Sequence, residues 1–329
     1  MRRLIVWDPC WAPHAAEFTN RLSSKWQVLS NSGDPAWLLS QIADATALIA
    51  TSLPSAARAK APNLRAFLFP GAGVFQPDPS AYPAGCPVLN VFEHETPIAE
   101  YALMMMLAHV THLRSTLESF RAGRWDGSGR VGGAPHGELD GQTVGLIGYG
   151  HIGQAIAARA RAFGLRVVAA YKAGDGPPLA VTPDLALAPS DLETLLSQSA
   201  FLVIAAPLTA ETRAMIGSAQ LALLPPSAFL INVSRAEIVD EEPLFLALSS
   251  GRLAGAALDV WYQYPDPGQP GFGSRFPFHE LPNVFCTPHY SAWSSGMILR
   301  RIEAMCRNLL RLADGQPLER VVLMGSWKP

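Results

Sequence analysis

The stretch VGLIGYGHIGQAIAARA, residues 144–160, decides how the chain is read. An apolar run from Val144 to Ile147 has the character of a strand, and it leads directly into Gly148, Gly150 and Gly153 with the spacing G-x-G-x-x-G. An alanine-rich segment of helical character follows. Between a strand and a helix, that spacing permits a tight turn at Gly148. It also allows close approach of a pyrophosphate at Gly150 and helix-on-strand contact at Gly153. The helix N-terminus adds free N–H groups and the positive end of its dipole. Gly148, Tyr149, Gly150, His151, Ile152 and Gly153 are therefore the expected phosphate-binding turn of a dinucleotide.

The next strand, RVVAAY (166–171), should end beside the adenosine ribose. Folds that prefer NAD place an acid there, about 20 residues beyond the glycines, to bind the ribose hydroxyls. Here Tyr171 and Lys172 occupy the position, and Asp175 belongs to a Gly174-Asp-Gly176 turn. A cation without an acid favours a 2′-phosphate, so the cofactor expected is NAD(P), with NADP ahead of NAD.

Outward from this turn, short apolar runs alternate with helical segments along most of the chain. The expected strands are Leu4–Trp7, Ala47–Ala50, Ala66–Phe69, Thr143–Ile147, Arg166–Ala170, Phe201–Ala205, Ala228–Asn232, Gly255–Asp259 and Val284–Thr287. Helices are expected at Ile152–Phe163, Asp191–Ser197 and Glu241–Ser249, and one long helix over Pro97–Phe120. This alternation implies α/β architecture with parallel sheets covered on both faces. Pro- and Gly-rich stretches at 123–137 and 264–278 mark junctions. The division expected is two Rossmann-like, doubly wound domains. Residues 1–97 and 291–329 form a discontinuous substrate domain, and 98–290 form the dinucleotide-binding domain inserted into it.

Composition narrows the classes. The chain has 329 residues, 49% of them hydrophobic and 16% charged, enough for two sizeable cores. A net charge of −2 gives no basis for binding nucleic acid or an anionic membrane. Cys10, Cys86, Cys286 and Cys306 are scattered without CxxC spacing, so neither a zinc ribbon nor a redox dithiol is indicated. His109 and His112 lack a third ligand and are expected at a surface or interface, so no metal site is expected. Met104–Met106 suit a core or a dimer contact. The apolar run Leu4–Trp7 is too short for a signal peptide, and no run reaches the ~18 residues of a membrane span. The expected location is the cytoplasm.

Three later stretches carry further chemistry: PLTAETRAMI (207–216), LINVSRAEIVDEEPLFLAL (230–248) with GAALDVWYQYP (255–265), and CTPHYSAW (286–293). Arg235 and His289 each follow a strand, at the carboxyl ends where open α/β sheets bind ligands. A guanidinium there suits a carboxylate and polarises the adjacent carbonyl. A histidine there suits proton delivery to a ketone oxygen. With the glycine turn, these stretches resemble the D-isomer-specific 2-hydroxyacid dehydrogenases, from about Val88 to Trp293. The superfamily includes glyoxylate, hydroxypyruvate, phosphoglycerate and formate dehydrogenases.

The resemblance implies hydride transfer between NAD(P)H and a small 2-oxo or 2-hydroxy acid, by a homodimer. It assigns Arg235 to the substrate carboxylate and His289 to acid–base catalysis. It places Pro207, Thr212, Asn232, Val233 and Asp259 near the cofactor, and Glu100 at a hinge or cap. The loop Gly71-Ala72-Gly73-Val74 resembles the family's carboxylate-binding loop, with Phe75 where a polar residue is frequent. Phe75, Tyr264 and Trp293 hint at an aromatic-lined substrate pocket.

One departure stands out. The family sets an acid five residues after the Asp of the LDV segment, to hold the histidine and favour its protonated form; here that position is Tyr264. Tyr264 is suited to orient His289 by a hydrogen bond but carries no charge near pH 7. Glu237 and Glu280 are alternative sources of the charge, and Asp259 is a candidate for orienting the loop. Two other readings stay open: a dinucleotide-binding sensor with little turnover, and a formate-type dehydrogenase.

Overall fold

The computed structural model describes residues 1–73, 78–172, 174, 177–266 and 268–328. It divides into two compact units, 1–93 with 295–329, and 94–294. Both are α/β units built on sheets that are parallel apart from one edge strand, as the strand–helix alternation implies.

In the first unit, β1 (Arg2–Trp7), β2 (Trp26–Asn31), β3 (Ala47–Ile49), β4 (Ala66–Leu68) and β5 (Pro87–Leu89) are joined by β13 (Val321–Met324). Their order is β13-β5-β4-β3-β1-β2. β13 pairs antiparallel with β5, a correction to the expectation of wholly parallel sheets. The chain leaves β5 for the second unit and returns much later, so no helical crossover forces the two strands into parallel alignment.

In the second unit, β6 (Thr143–Ile147), β7 (Arg166–Ala170), β8 (Leu185–Leu187), β9 (Phe201–Ile204), β10 (Phe229–Asn232), β11 (Gly255–Leu258) and β12 (Val284–Cys286) form one parallel sheet. The order is β12-β11-β10-β9-β6-β7-β8. The chain reverses its direction of winding between β6 and β9, the point where such sheets open a ligand crevice at their carboxyl ends.

Alternation within the strands builds two cores. Val144, Leu146, Val203, Phe229 and Ile231 face one layer, with helices Glu95–Val110 and His151–Ala162. Ile147, Leu202, Ile204, Leu230 and Leu258 face the other, with Leu192–Ser197, Ser218–Leu223 and Glu241–Ser249. Strand side chains point to opposite faces in turn. Each large apolar side chain fully removed from water contributes about 1.5–3 kcal/mol before the entropy of ordering is counted.

The long helix expected over Pro97–Phe120 is two helices, Glu95–Val110 and Leu113–Arg121. His112 stands between them at φ +52°, in the left-handed region. The Val110 carbonyl leaves the helix and accepts Gly137 N–H at 2.9 Å. A glycine-rich segment therefore satisfies the backbone where the helix stops. The break divides the neighbouring histidines: the ring of His109 stacks on Phe229, 4.3 Å between centroids, and burial pushes its pKa down to about 4. Met105 and Met106 are buried, whereas Met104 is exposed. Among the described residues no helix is long and apolar enough to cross a membrane.

Candidate active site

The glycine turn joins β6 to the helix His151–Ala162 at the point where the winding reverses. Gly148 has φ +93°, and a Cβ there would lie 2.6 Å from Ala206 N at the end of the neighbouring strand. Gly153 packs so tightly that a Cβ would meet the Gly148 carbonyl at 2.4 Å. At Gly150 nothing lies within 4 Å of the Cβ position, so that backbone faces open space. These are the conditions a pyrophosphate needs: a sharp turn, a bare backbone and the N-terminus of a helix.

The turn opens on a cleft of about 530 Å3 lined by Gly148, Tyr149, Gly150, Tyr171, Lys172, Pro207, Glu211 and Thr212, among others. A dinucleotide fits these residues. Substituting alanine at Gly148 is expected to lower both cofactor affinity, at least tenfold, and thermal stability, because it adds strain and a clash. Alanine at Gly150 is expected to lower affinity alone. Cofactor titration and thermal melts on both variants check this contrast; equal melting losses would remove the distinction between turn and cradle.

Tyr149 stacks on Tyr171, ring centroids 5.3 Å apart. Its hydroxyl is buried without a hydrogen-bond partner among the described residues, and burial raises its pKa to about 12. Lys172, read from the sequence as a cation open to phosphate, is held by Glu211, Nζ to Oε2 2.6 Å.

Arg235 follows β10, and His289 follows β12 through Thr287 and Pro288. Arg235 is exposed; its Nη1 donates to the Ser234 carbonyl at 2.7 Å, and Asn232 Nδ2 donates to its carbonyl at 3.0 Å. His289 has φ +55°, an uncommon conformation for a residue with a Cβ. Asp259, 0% exposed, fixes this loop. Its carboxylate accepts Thr287 Oγ1 at 2.6 Å, Tyr290 N at 2.9 Å and Ser291 N at 3.0 Å. Tyr101 reaches Thr287 Oγ1 at 2.9 Å, and Trp261 Nε1 donates to the Thr287 carbonyl at 2.8 Å.

Tyr264 Oη lies 2.8 Å from His289 Nδ1, and Trp261 N donates to the same hydroxyl at 3.4 Å. Burial first, then Asp259 and Glu237, push the phenol pKa up, so the hydroxyl is neutral at ordinary pH. His289 shifts the other way. The protein packed around its ring lowers the pKa most; Asp259 pulls it up and Arg235 pushes it down. The residue nevertheless remains exposed to solvent in its own unit.

The structure thus brings Arg235, Asp259, Tyr264 and His289 into one electrostatic group. Asp259 was expected near the cofactor and as a candidate for orienting the loop; its buried carboxylate is taken up by the His289 loop. His151, Ile152, Gly153 and Val233 form the turn and strand ends near the cleft without being among its lining residues. Glu280 lies 3.8 Å from His279, and no hydrogen bond or ion pair joins Glu237 or Glu280 to His289 among the described residues.

Tyr264 also lines a pocket of about 350 Å3 with Trp261, Phe272, His279 and Cys286. Trp293 is 48% exposed. In the first unit, Ala72 and Gly73 lie in a loop after β4, where Asn90 Nδ2 donates to the Ala72 carbonyl at 2.6 Å. Arg301, nearly buried, donates to the carbonyls of Pro70 (3.1 Å) and Phe92 (2.7 Å). Val74, Phe75 and Asp175 lie outside the described residues. Glu100, expected at a hinge or cap, lies 3.6 Å from Arg159 on the helix His151–Ala162. Sequence reasoning missed Tyr101, Trp261 and Glu211. Thr287, part of the CTPH stretch, had a signal in its position at a strand end; Tyr101 had none.

A family model described as the NAD binding domain of D-isomer specific 2-hydroxyacid dehydrogenase matches residues 103–291. The chain belongs to the D-isomer specific 2-hydroxyacid dehydrogenase family. Among members of this family, a glyoxylate reductase of Thermococcus gammatolerans is 36% identical over 224 residues, 66% of this chain and 63% of that protein. The chain thus matches about 63% of the length of such curated relatives. A family protein from Aeromonas salmonicida has a similar structure, with TM-score 0.79 and 26% identity over 97% of this chain and 98% of that one. So does an NADPH-dependent glyoxylate/hydroxypyruvate reductase of Sinorhizobium meliloti, solved with NADP and malonate. Its TM-score is 0.74, at 25% identity over 99% of both chains. The two D-2-hydroxyacid dehydrogenase structures match this chain across the residues of both α/β units.

Proposed function

We propose that the protein is an NAD(P)-dependent oxidoreductase that interconverts small 2-oxo acids and D-2-hydroxy acids. The observation that carries this reading is the Tyr264–His289 hydrogen bond beside Arg235, at the same carboxyl-end face of the sheet as the dinucleotide cleft. The names of the relatives, glyoxylate reductase and glyoxylate/hydroxypyruvate reductase, support two-carbon and three-carbon 2-oxo acids as substrates.

When bound, NAD(P)H supplies the hydride. Arg235 grips the substrate carboxylate and draws electron density from the adjacent carbonyl. Protonated His289 delivers the Nε2 proton to the carbonyl oxygen, while Nδ1 rests against Tyr264 Oη. In the reverse direction the neutral ring accepts that proton. Asp259 holds the loop that aims the imidazole. In the first unit, the backbone of Ala72 and Gly73 is the proposed anion cradle. We read the protein as a cytoplasmic homodimer; Met104, Leu113 and Phe163, each exposed around one apolar groove, support a subunit contact.

The test is initial rates with glyoxylate, hydroxypyruvate, pyruvate and phenylpyruvate, using NADH and NADPH, with formate in the oxidative direction. Reduction of glyoxylate and hydroxypyruvate is expected. Cofactor binding without turnover of any acid would make the protein a sensor, and formate oxidation would make it a formate-type enzyme.

His289 sets a pH dependence whose sign follows from proton need. Reduction requires protonated His289, whose pKa lies below its ordinary value, so activity falls as pH rises through that lowered value. Tyr264→Glu would place a carboxylate against Nδ1 and favour the imidazolium. The alkaline limb of kcat/KM should move up by about one pH unit, equivalent to ~1.4 kcal/mol. A limb that stays or moves down would show that position 264 does not tune the ring.

A further inference from the structure

Among the described residues lining the dinucleotide cleft, Lys172 and Glu211 are the only ones with a formal charge. They come from opposite walls. Lys172 stands just past β7, and Glu211 lies on the turn that follows β9. Their side chains meet at 2.6 Å. The turn is stiffened by its own side chains: Thr212 Oγ1 accepts Thr209 N at 2.8 Å and donates to the Pro207 carbonyl at 2.7 Å. Thr209 Oγ1 accepts Thr212 N at 3.2 Å. A threonine-capped turn fixes the backbone from which Glu211 reaches Lys172.

We propose that Glu211 is the cofactor-selecting residue of this protein. It supplies, from across the cleft, the carboxylate that β7 lacks, and with Lys172 it discriminates a free ribose 2′-hydroxyl from a 2′-phosphate. The inference rests on the proposed function only for the identity of the cleft.

A 2′-hydroxyl can donate to Glu211 and leave the ion pair intact. A 2′-phosphate carries about −1.5 to −2 charges near pH 7. To reach Lys172 it must displace Glu211, and it then lies close to a like charge. The Lys172–Glu211 pair has no net charge and so offers the phosphate no net attraction of its own, which favours the unmodified ribose. The two side chains are 55% and 70% exposed; an ion pair this open adds little to stability. Its removal therefore changes selectivity and leaves the fold in place.

The experiment measures binding to the full chain by calorimetry, with ADP and adenosine 2′,5′-bisphosphate as probes. Fluorescence titrations with NADH and NADPH run in parallel. The wild type should bind ADP and NADH more tightly than their 2′-phosphorylated counterparts. Glu211→Gln should shift the affinity ratio toward the 2′-phosphate about tenfold, more at low salt. Adding Lys172→Ala to that variant should abolish the shift. A ratio unchanged within about twofold in Glu211→Gln, or a wild type that prefers the 2′-phosphate, would overturn the proposal. Selective binding without turnover of any 2-oxo acid would sustain it while removing the proposed reaction. Failure of both ADP and adenosine 2′,5′-bisphosphate to bind would overturn the cleft assignment and the proposal with it.

Discussion

Replacing Arg235 with alanine is expected to lower kcat/KM for 2-oxo acid reduction by roughly 30- to 1000-fold, about 2–4 kcal/mol. The loss should fall on substrate binding and turnover, not on cofactor affinity. Arg235 follows β10 and its side chain contacts the neighbouring Ser234 carbonyl at 2.7 Å, so the guanidinium is held locally while the residue stays exposed. Its exposure in its own unit means that removal costs the fold little. Arg235→Lys keeps the charge but loses the planar fork that matches a carboxylate, and should recover only part of the activity. Steady-state kinetics with a cofactor titration check both variants. An alanine variant with unchanged kcat/KM would remove Arg235 from the reaction.

The second large effect is expected at His289, and the backbone dictates the substitution. At φ +55° an ordinary side chain adds strain of its own. Asparagine tolerates this region better than most residues. His289→Asn should therefore keep the loop, leaving cofactor affinity and melting temperature near wild type, while removing the proton donor. A positioned acid or base contributes typically 10²–10⁴-fold, and kcat should fall by about that factor. The limb of the pH profile that reports the lowered histidine pKa should disappear with it. Persistence of that limb in the asparagine variant would show that another group titrates.

Much of the second unit was legible because its central strands are buried on both faces. Runs such as TVGLI and RVVAA admit little besides a parallel strand. The strands not foreseen are β2, β5, β8 and β13. β2, β8 and β13 stand at sheet edges or carry exposed positions, where polar residues dilute the pattern. β5 is only three residues long. The break at His112 was hidden because the residues around it suit a helix; the deciding partner, Gly137, lies far along the chain. The site divides in the same way. Gly148, Arg235 and His289 stand at strand ends, where local sequence fixes position. Tyr264 was legible as a departure from a pattern, but its bond to His289 spans 25 residues. Glu211 meets Lys172 across 39 residues, and Tyr101 meets Thr287 across 186. Contacts of that kind depend on topology and leave no local trace.

The three donors to Asp259 come from Thr287, Tyr290 and Ser291, on both sides of His289. The loop is therefore anchored from beneath, whereas Tyr264 touches only the ring. Asp259 both holds the loop and raises the ring's proton affinity through its charge, and Tyr264 adds a contact to the ring alone. Position 264 can then exchange an uncharged side chain for an acidic one without loosening the anchor. In evolutionary terms, a lineage with this arrangement can move its working pH through one codon, with no compensating change in the scaffold.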